Sequence, residues 1–216
     1  AQLTTIDAAN TTGTLTYTAV SDTAFNLAAN VGGYVAAGVN VTVTNAATIA
    51  QLTTIDAANT TGTLTYTAVT DTAAALAANV GSYVAAGKNV TVTDAATIAQ
   101  LTTIDAANTT GTLTYLTVSD TVAALTTNAG NYVSGAVNVT VTNTASMAQL
   151  TTIDGYTTGV VSATSITDAA ATLAADVGGY VTGAVNVTVT GAATIAQLTT
   201  IDALTTGSLT YGAVSD

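Results

Sequence analysis

The sequence predicts an α/β repeat solenoid made of strand–helix coils of about 24 residues, with a parallel sheet on one side and short helices on the other. The first observation is a segment beginning Ala-Gln-Leu that recurs at spacings of 49, 49, 49 and 48 residues. Its copies start near residues 1, 50, 99, 148 and 196. The second observation is that each 49-residue unit alternates two strand patterns with two helix patterns. Such repetition is typical of arrays whose units bury apolar faces only against their neighbours.

The first strand and the first helix of a unit are represented by residues 63–78. Residues 63–67 read Thr-Leu-Thr-Tyr-Thr, an alternation of polar and apolar side chains that predicts a strand. Residues 73–78 are five alanines and one leucine, a composition that favours a helix.

The second strand and the second helix follow directly. Residues 89–93 read Asn-Val-Thr-Val-Thr and again predict a strand. We expect the second helix to open at Asp94 and to place Ile98, Leu101 and Ile104 on one face.

Both strand patterns carry threonine at every second position. Parallel strands that are covered on both faces are typically continuous runs of Val, Ile and Leu, so we expect one face to pack on helices and the threonine face to be open. An alternative closes one coil per 49 residues with two separate sheets and also leaves threonine outside. In both arrangements residues 1–216 form a single elongated repeat array, which we expect to be a fragment of a longer chain.

Composition excludes several functional classes. The chain has 12 acidic residues, a single basic residue (Lys88), no His and no Cys, and its net charge is −11. This charge disfavours binding to nucleic acid or to anionic membranes, and no apolar run is long enough to insert into a bilayer. Because general acid–base and nucleophilic catalysis draw mainly on residue types that are missing here, we expect no enzymatic activity.

The aspartates fall into two series. Asp or Asn precedes each predicted helix, where a short acceptor side chain is typical of an N-cap and stabilises the helix by about 1 kcal/mol. The predicted N-cap residues are Asp22, Asn45, Asp71, Asp94, Asp120, Asn143 and Asp168. The other series lies near the C-terminal end of the second helix, where its charge opposes the helix dipole, so capping does not explain it. Its members are Asp7, Asp56, Asp105, Asp154 and Asp202.

Oxygen ligands of this kind would suit Ca²⁺. However, the glycine-rich nonapeptide of calcium-binding β-rolls and any close Asp-x-Asp cluster are missing from the sequence. We therefore predict no cofactor and no metal ligands, with calcium binding as the alternative.

The outward threonines form the candidate binding surface. In a parallel sheet they would make a grid with a spacing of about 4.8 Å across strands, and this Thr-x-Thr array resembles that of β-solenoid antifreeze proteins. Ice or an extracellular polysaccharide is the ligand that such a surface would take, whereas the alternative is that threonine merely suits an exposed strand. The candidate residues are Thr16, Thr42, Thr44, Thr65, Thr91, Thr93, Thr114, Thr140, Thr142, Thr188 and Thr190.

Residues 20–30 (Val-Ser-Asp-Thr-Ala-Phe-Asn-Leu-Ala-Ala-Asn) and 69–79 (Val-Thr-Asp-Thr-Ala-Ala-Ala-Leu-Ala-Ala-Asn) resemble repeats of very large secreted, adhesin-like surface proteins of cyanobacteria and proteobacteria. The resemblance implies an extracellular or cell-surface location and a structural or adhesive role as a surface-layer, spacer or filament-forming segment. Its expected partners are further repeats of the same chain, or other copies joined end to end. The calcium-binding nonapeptides of those relatives do not appear in this chain.

Overall fold

The computed structural model describes residues 2–216 as a mixed α/β protein with several short parallel sheets and nine α-helices among those residues. The chain divides into two compact units. The first unit extends through Thr93 and includes Thr103–Thr114, and the second comprises Asp94–Thr102 and Tyr115–Asp216. One helix therefore contributes its first residues to the second unit and its last residues to the first.

The first unit alternates helices with short strands. Its elements are α1 (Gln2–Ala9), β1 (Ala19–Asp22), α2 (Ala24–Ala29), β2 (Asn40–Val43), α3 (Ile49–Asn59), β3 (Leu64–Thr65), β4 (Ala68–Asp71), α4 (Ala73–Ala78), β5 (Asn89–Val92), the end of α5 (Ile98–Asn108) and β6 (Leu113–Thr114).

The second unit has the same alternation after the start of α5. Its elements are β7 (Thr117–Asp120), α6 (Val122–Thr127), a 3-10 turn (Ala129–Asn131), β8 (Asn138–Val141), α7 (Met147–Asp154), β9 (Val161–Ala163), β10 (Ser165–Ala169), α8 (Ala170–Ala175), β11 (Asn186–Thr190), β12 (Ala192–Ala193), α9 (Ile195–Leu204), β13 (Leu209–Thr210) and β14 (Ala213–Val214).

All strand pairs described are parallel and join segments 21 to 23 residues apart in the sequence, a separation that we call one turn of chain. The first unit contains the three-stranded sheets β1-β2-β3 and β4-β5-β6, and the second contains β7-β8-β9, β10-β11-β13 and the pair β12-β14. Ala19 of β1 pairs with Asn40 of β2, and Val41 of β2 pairs with Leu64 of β3, so the pairing steps are 21 and 23 residues. Connections of this length need a helical crossover, which α2 and α3 supply.

The strand predicted at residues 63–67 is shorter than expected and is followed by a second strand that the alternation did not predict. β3 contains only Leu64–Thr65, and β4 at Ala68–Asp71 belongs to the next sheet. Buried positions along this segment are Tyr66 and then Val69, a step of three where a flat strand has two. One extra residue of this kind bends a strand, as a bulge does. The two pairing steps, 21 and 23, account for 44 residues of a 49-residue unit, and the other five lead from Leu64 in β3 to Val69 in β4.

Each sheet buries one face. In β2, Val41 and Val43 are buried whereas Asn40 and Thr42 are exposed, as the Val-Thr alternation predicts. Leu52 and Ile55 of α3 are also fully buried. Burying an aliphatic side chain of this size stabilises the fold by about 1.5–3 kcal/mol, so this one-sided core holds helices and sheets together.

The predicted N-cap assignments are wrong by one to three residues. Thr23, Thr72 and Thr121 cap α2, α4 and α6, each with the side-chain oxygen accepting an N–H group of the first turn, and the predicted Asp22, Asp71 and Asp120 lie one residue earlier. Asp168 likewise precedes the cap position of α8, which is Ala169 and makes no side-chain bond.

The long helices begin later than predicted. Thr48 and Ser146 cap α3 and α7 in capping boxes with a glutamine, so the predicted Asn45 and Asn143 lie three residues before the caps. Asp94 lies four residues before Ile98, the first residue of α5. The physical reason is that a Thr or Ser followed three residues later by Gln satisfies two backbone N–H groups at once, which a single acidic side chain farther away does not.

We predict that Gly62→Ala destabilises the first unit by about 2 kcal/mol or more. A methyl group at Gly62 would collide with the backbone carbonyl oxygen of Val39 and with the buried Oδ1 of Asn59, so backbone must move. Gly212→Ala is the matched control, because a methyl group there has no neighbour within 4 Å. Urea unfolding of both variants measures the difference, and equal midpoints would contradict this packing.

Candidate functional site

Strands β4, β7 and β10 carry, at or next to their last residue, an aspartate that joins one turn of chain to the preceding turn. Asp71, the last residue of β4, accepts a hydrogen bond from the Thr72 N–H through Oδ1 (2.9 Å). Its Oδ2 accepts the N–H of Ile49, the first residue of α3, at 3.0 Å. The two oxygens thus bind the N-termini of two different helices.

The same contact recurs along the chain. The backbone N–H of the first residue of a long helix donates to an aspartate 21 or 22 residues later, over 3.0–3.2 Å, in the pairs Ile98–Asp120, Met147–Asp168 and Ile195–Asp216. The short helices have an equivalent contact with asparagine, in the pairs Ala24–Asn45 (2.8 Å) and Val122–Asn143 (2.7 Å). We call these contacts the cross-turn caps.

The cross-turn caps explain why some of the predicted N-cap positions hold aspartate and others asparagine. Asp71, Asp120 and Asp168 use one oxygen for the helix that follows and the other for the helix before. An asparagine has one acceptor oxygen only, which is sufficient where a single N–H group is bound, as at Asn45. Charge is therefore not what these positions require; acceptor oxygens are.

The second aspartate series has tyrosine partners. The hydroxyl of Tyr34 donates to Asp7 Oδ2 at 3.3 Å, and that of Tyr83 donates to Asp56 Oδ2 at 3.4 Å. Burial raises the pKa of Tyr180, and the nearby Asp154 carboxylate adds to that rise. Burial raises the pKa of Tyr83, and the Asp56 carboxylate adds to that rise, so the phenol stays protonated and donating.

Three pairs of tyrosines pack edge to face, and they are Tyr17–Tyr34, Tyr66–Tyr83 and Tyr115–Tyr132. Tyr66 and Tyr83 meet edge to face with ring centroids 6.2 Å apart, and the Tyr66 hydroxyl donates to the backbone oxygen of Tyr83 at 2.9 Å. Lys88 donates to the backbone oxygen of Tyr66 (2.7 Å) and lies 4.4 Å from its ring centroid. The Tyr66 and Tyr83 rings are buried and form no open platform for a sugar.

The predicted binding surface is exposed and partly in register. Ten of its eleven threonines are exposed, and Thr140 is half-buried beside the Ser162 hydroxyl at 3.3 Å. Cross-strand pairing produces rows of three hydroxyl side chains, one row in each three-stranded sheet. The rows are Ser21–Thr42–Thr65, Thr70–Thr91–Thr114, Ser119–Thr140–Ser162 and Thr167–Thr188–Thr210.

Some predicted positions lie outside the rows, and some members of the rows were missed. Thr16 is exposed but belongs to no strand, and Thr44, Thr93 and Thr142 follow the last residue of their strands. The sequence pattern did not predict strands β1, β4, β7 and β10, so the first member of each row is missing from the predicted surface. These members are Ser21, Thr70, Ser119 and Thr167. The alternation Ala-Val-Thr-Asp at residues 68–71 was the available signal.

Within residues 2–216, no three His, Cys, Asp or Glu side chains lie together in a way that would hold a metal ion. The same residues include no helix whose length and apolar character would let it cross a membrane. Comparison of the chain with models of protein families, with curated proteins and with solved structures gave no match.

We predict that Asp71→Ala lowers the free energy of unfolding by about 1–3 kcal/mol, because it leaves the N–H groups of Ile49 and Thr72 without these acceptors. Asp71→Asn retains one acceptor and should lose about half as much. Asp56→Ala removes only the long contact to Tyr83 and is the control. Chemical denaturation monitored by circular dichroism measures all three, and equal losses at Asp71 and Asp56 would contradict the role of the cross-turn caps.

Proposed function

We propose that the chain is a non-enzymatic structural repeat module, a solenoid in which each strand–helix turn is covered and capped by the next turn. The observation that carries the proposal is the recurrence of the cross-turn caps at the same position of successive repeats. An interaction copied into successive repeats serves the array as a whole, whereas a catalytic site is normally built once.

The proposed role is that of a stiff spacer, surface-layer segment or filament-forming segment outside a bacterial cell. Support comes from the parallel pairing of each turn with the next in both units. The acidic and Cys-free composition fits an extracellular setting, and the resemblance to adhesin-like repeats points the same way. Its partners would be further repeats of the same kind or other copies, rather than nucleic acid or a bilayer.

We predict that a variant lacking residues 50–98 still folds. The deletion joins Ile49 to Ala99, so every remaining strand and helix keeps the neighbours that its own sequence specifies. A nearest-neighbour array should retain its circular dichroism per residue and melt a few degrees lower. A variant lacking only residues 50–73 is the control and should lose cooperative unfolding, because it removes part of a repeat.

Failure of both deletion variants to fold would contradict a modular array. Melting the full chain with calcium and with a chelator, in the same experiment, tests the alternative of a calcium-stabilised repeat. A large shift of the melting temperature on chelation would favour that alternative.

A second candidate function, binding of ice or polysaccharide, is favoured by the rows of hydroxyl side chains, most of which are exposed. Hydroxyls in register across a parallel sheet lie about 4.8 Å apart. Each row presents methyl and hydroxyl groups together without charge, which suits an uncharged and ordered ligand.

We predict for this second function that replacing Thr42, Thr91, Thr140 and Thr188 with Tyr abolishes thermal hysteresis or polysaccharide retention without lowering the melting temperature. Three exposed helix threonines, Thr54, Thr152 and Thr200, replaced in the same way form the control. Absence of both activities in the unaltered chain would eliminate the second function and leave the structural proposal standing.

A further inference from the structure

One position of the repeat lacks its tyrosine in the fourth repeat. The residue there is Ala163, which lies in β9. The strand itself is kept, because Val161 pairs with Val139 in the register that β6 has with β5. The fourth repeat therefore retains the strand and loses one aromatic ring. The tyrosines at the equivalent position of the other repeats are Tyr17, Tyr66, Tyr115 and Tyr211.

In the second and third repeats, this tyrosine supplies two interactions to another tyrosine. The ring of Tyr66 packs edge to face on that of Tyr83, with centroids 6.2 Å apart, and its hydroxyl donates to the backbone oxygen of Tyr83 at 2.9 Å. Tyr115 makes the same two interactions with Tyr132, at 6.3 Å and 2.8 Å. Each pair thus combines a ring contact with a hydrogen bond to a backbone carbonyl.

Tyr180 is the equivalent of Tyr83, and position 163 supplies neither interaction to it. Ala163 has no ring and no hydroxyl, and no hydrogen bond to the backbone oxygen of Tyr180 is described among residues 2–216. The Tyr180 side chain is nevertheless 6% exposed, close to the 7% of Tyr83. Tyr180 therefore stays packed without the other tyrosine, and its carbonyl oxygen is an acceptor that a ligand can use.

A cavity of about 370 Å³ lies at this place in the second unit, and Ala163, Tyr180 and Val185 line it. Val185 is the equivalent of Lys88, whose Nζ lies 4.4 Å from the centroid of the Tyr66 ring. The cavity is thus bounded by the positions that surround the tyrosine ring in the second repeat. An apolar cavity of about 150 Å³ is enough to bind benzene, so one substituted ring has room here.

We propose that this cavity binds a simple phenol, whose ring packs edge to face on Tyr180 and whose hydroxyl donates to the backbone oxygen of Tyr180. The ligand supplies the two interactions that Tyr66 and Tyr115 supply to their partners. A ring without a hydroxyl would leave the carbonyl oxygen without its donor. The site is an addition to the structural role, and it uses only residues of the second unit.

The lining selects an uncharged ligand that is small at the para position. Asp154 also lines the cavity, so its carboxylate repels an anionic ring, whereas phenol is neutral at pH 7 as the tyrosine side chain is. In the orientation of a tyrosine, the para position of the ring faces the Cβ of Ala163, and a large substituent there would meet β9. A free phenol consequently fits, and the side chain of a tyrosine in another polypeptide does not.

The test is a proton NMR titration of phenol with the full chain, which gives the affinity and the number of sites. We expect one saturable site with a dissociation constant on the order of 1 mM, a reasonable strength for so small a ligand. Benzene should bind about fivefold more weakly, because it has no hydroxyl to donate. N-acetyl-tyrosine amide should not displace phenol, because its para substituent is too large.

Two variants and a matched control place the site. Ala163→Tyr should weaken phenol binding at least tenfold and raise the melting temperature by a few degrees, because it restores the tyrosine pair of the other repeats. Ala123→Tyr, the same substitution at an exposed position of α6, should leave both unchanged. Tyr115→Ala should raise the number of phenol sites from one to two, because it removes the same ring from the third repeat. Circular dichroism checks that each variant is folded.

Phenol binding that Ala163→Tyr leaves unchanged would overturn the proposal, as would equal binding of phenol and benzene. A folded Tyr115→Ala chain with no second site would also overturn it. So would displacement of phenol by N-acetyl-tyrosine amide at equal affinity. The deletion variants are judged without any ligand, so the structural role can stand where phenol fails to bind.

Discussion

The first N–H groups of any α-helix have no partner within the helix, and the way this chain satisfies them organises the rest of its structure. Six of the described helices (α2, α3, α5, α6, α7 and α9) take one acceptor from their own cap residue and a second from a side chain 21 or 22 residues later. The second acceptor fixes where the next strand must end. The residue at which a helix begins, the residue at which the next strand ends and the number of residues between paired strands are therefore set together. The apolar side chains pack within that spacing.

That constraint also accounts for an unusual charge inventory. A chain with a net charge of −11 and a single basic residue cannot balance its carboxylates with ion pairs. Here aspartates bind backbone N–H groups or tyrosine hydroxyls, as Asp71 and Asp56 do. Helix N-termini carry a partial positive charge, so carboxylates placed there are stabilised without any cation. Asp71 and its equivalents therefore lie at helix N-termini, where the electrostatic potential of the backbone is positive. Asp56 lies where it accepts a hydrogen bond from a tyrosine hydroxyl.

The sequence was sufficient for the parts of the fold that depend on local pattern. The Ala73–Ala78 helix and the buried valines of Asn-Val-Thr-Val strands agree with expectation, because composition and alternation determine them. The division of residues 63–71 into β3 and β4 was not predictable from the alternation. It depends on the pairing of Val69 with Ala47, which lies 22 residues earlier in the chain. The N-cap predictions were wrong for a related reason. Asp71 accepts the first N–H group of α3, a helix that precedes it by 22 residues, whereas its position in the sequence suggests a role only at the helix that follows.

The bend between β3 and β4 limits what the hydroxyl rows can recognise. Because the chain passes from one sheet to the next at this bend, a row such as Ser21–Thr42–Thr65 ends after three strands, a width of about 10 Å at the usual strand spacing. A ligand that matches one row contacts a patch no wider than one or two sugar rings. Avidity from several short patches, rather than a continuous lattice match, is then the means by which such a surface would gain strength.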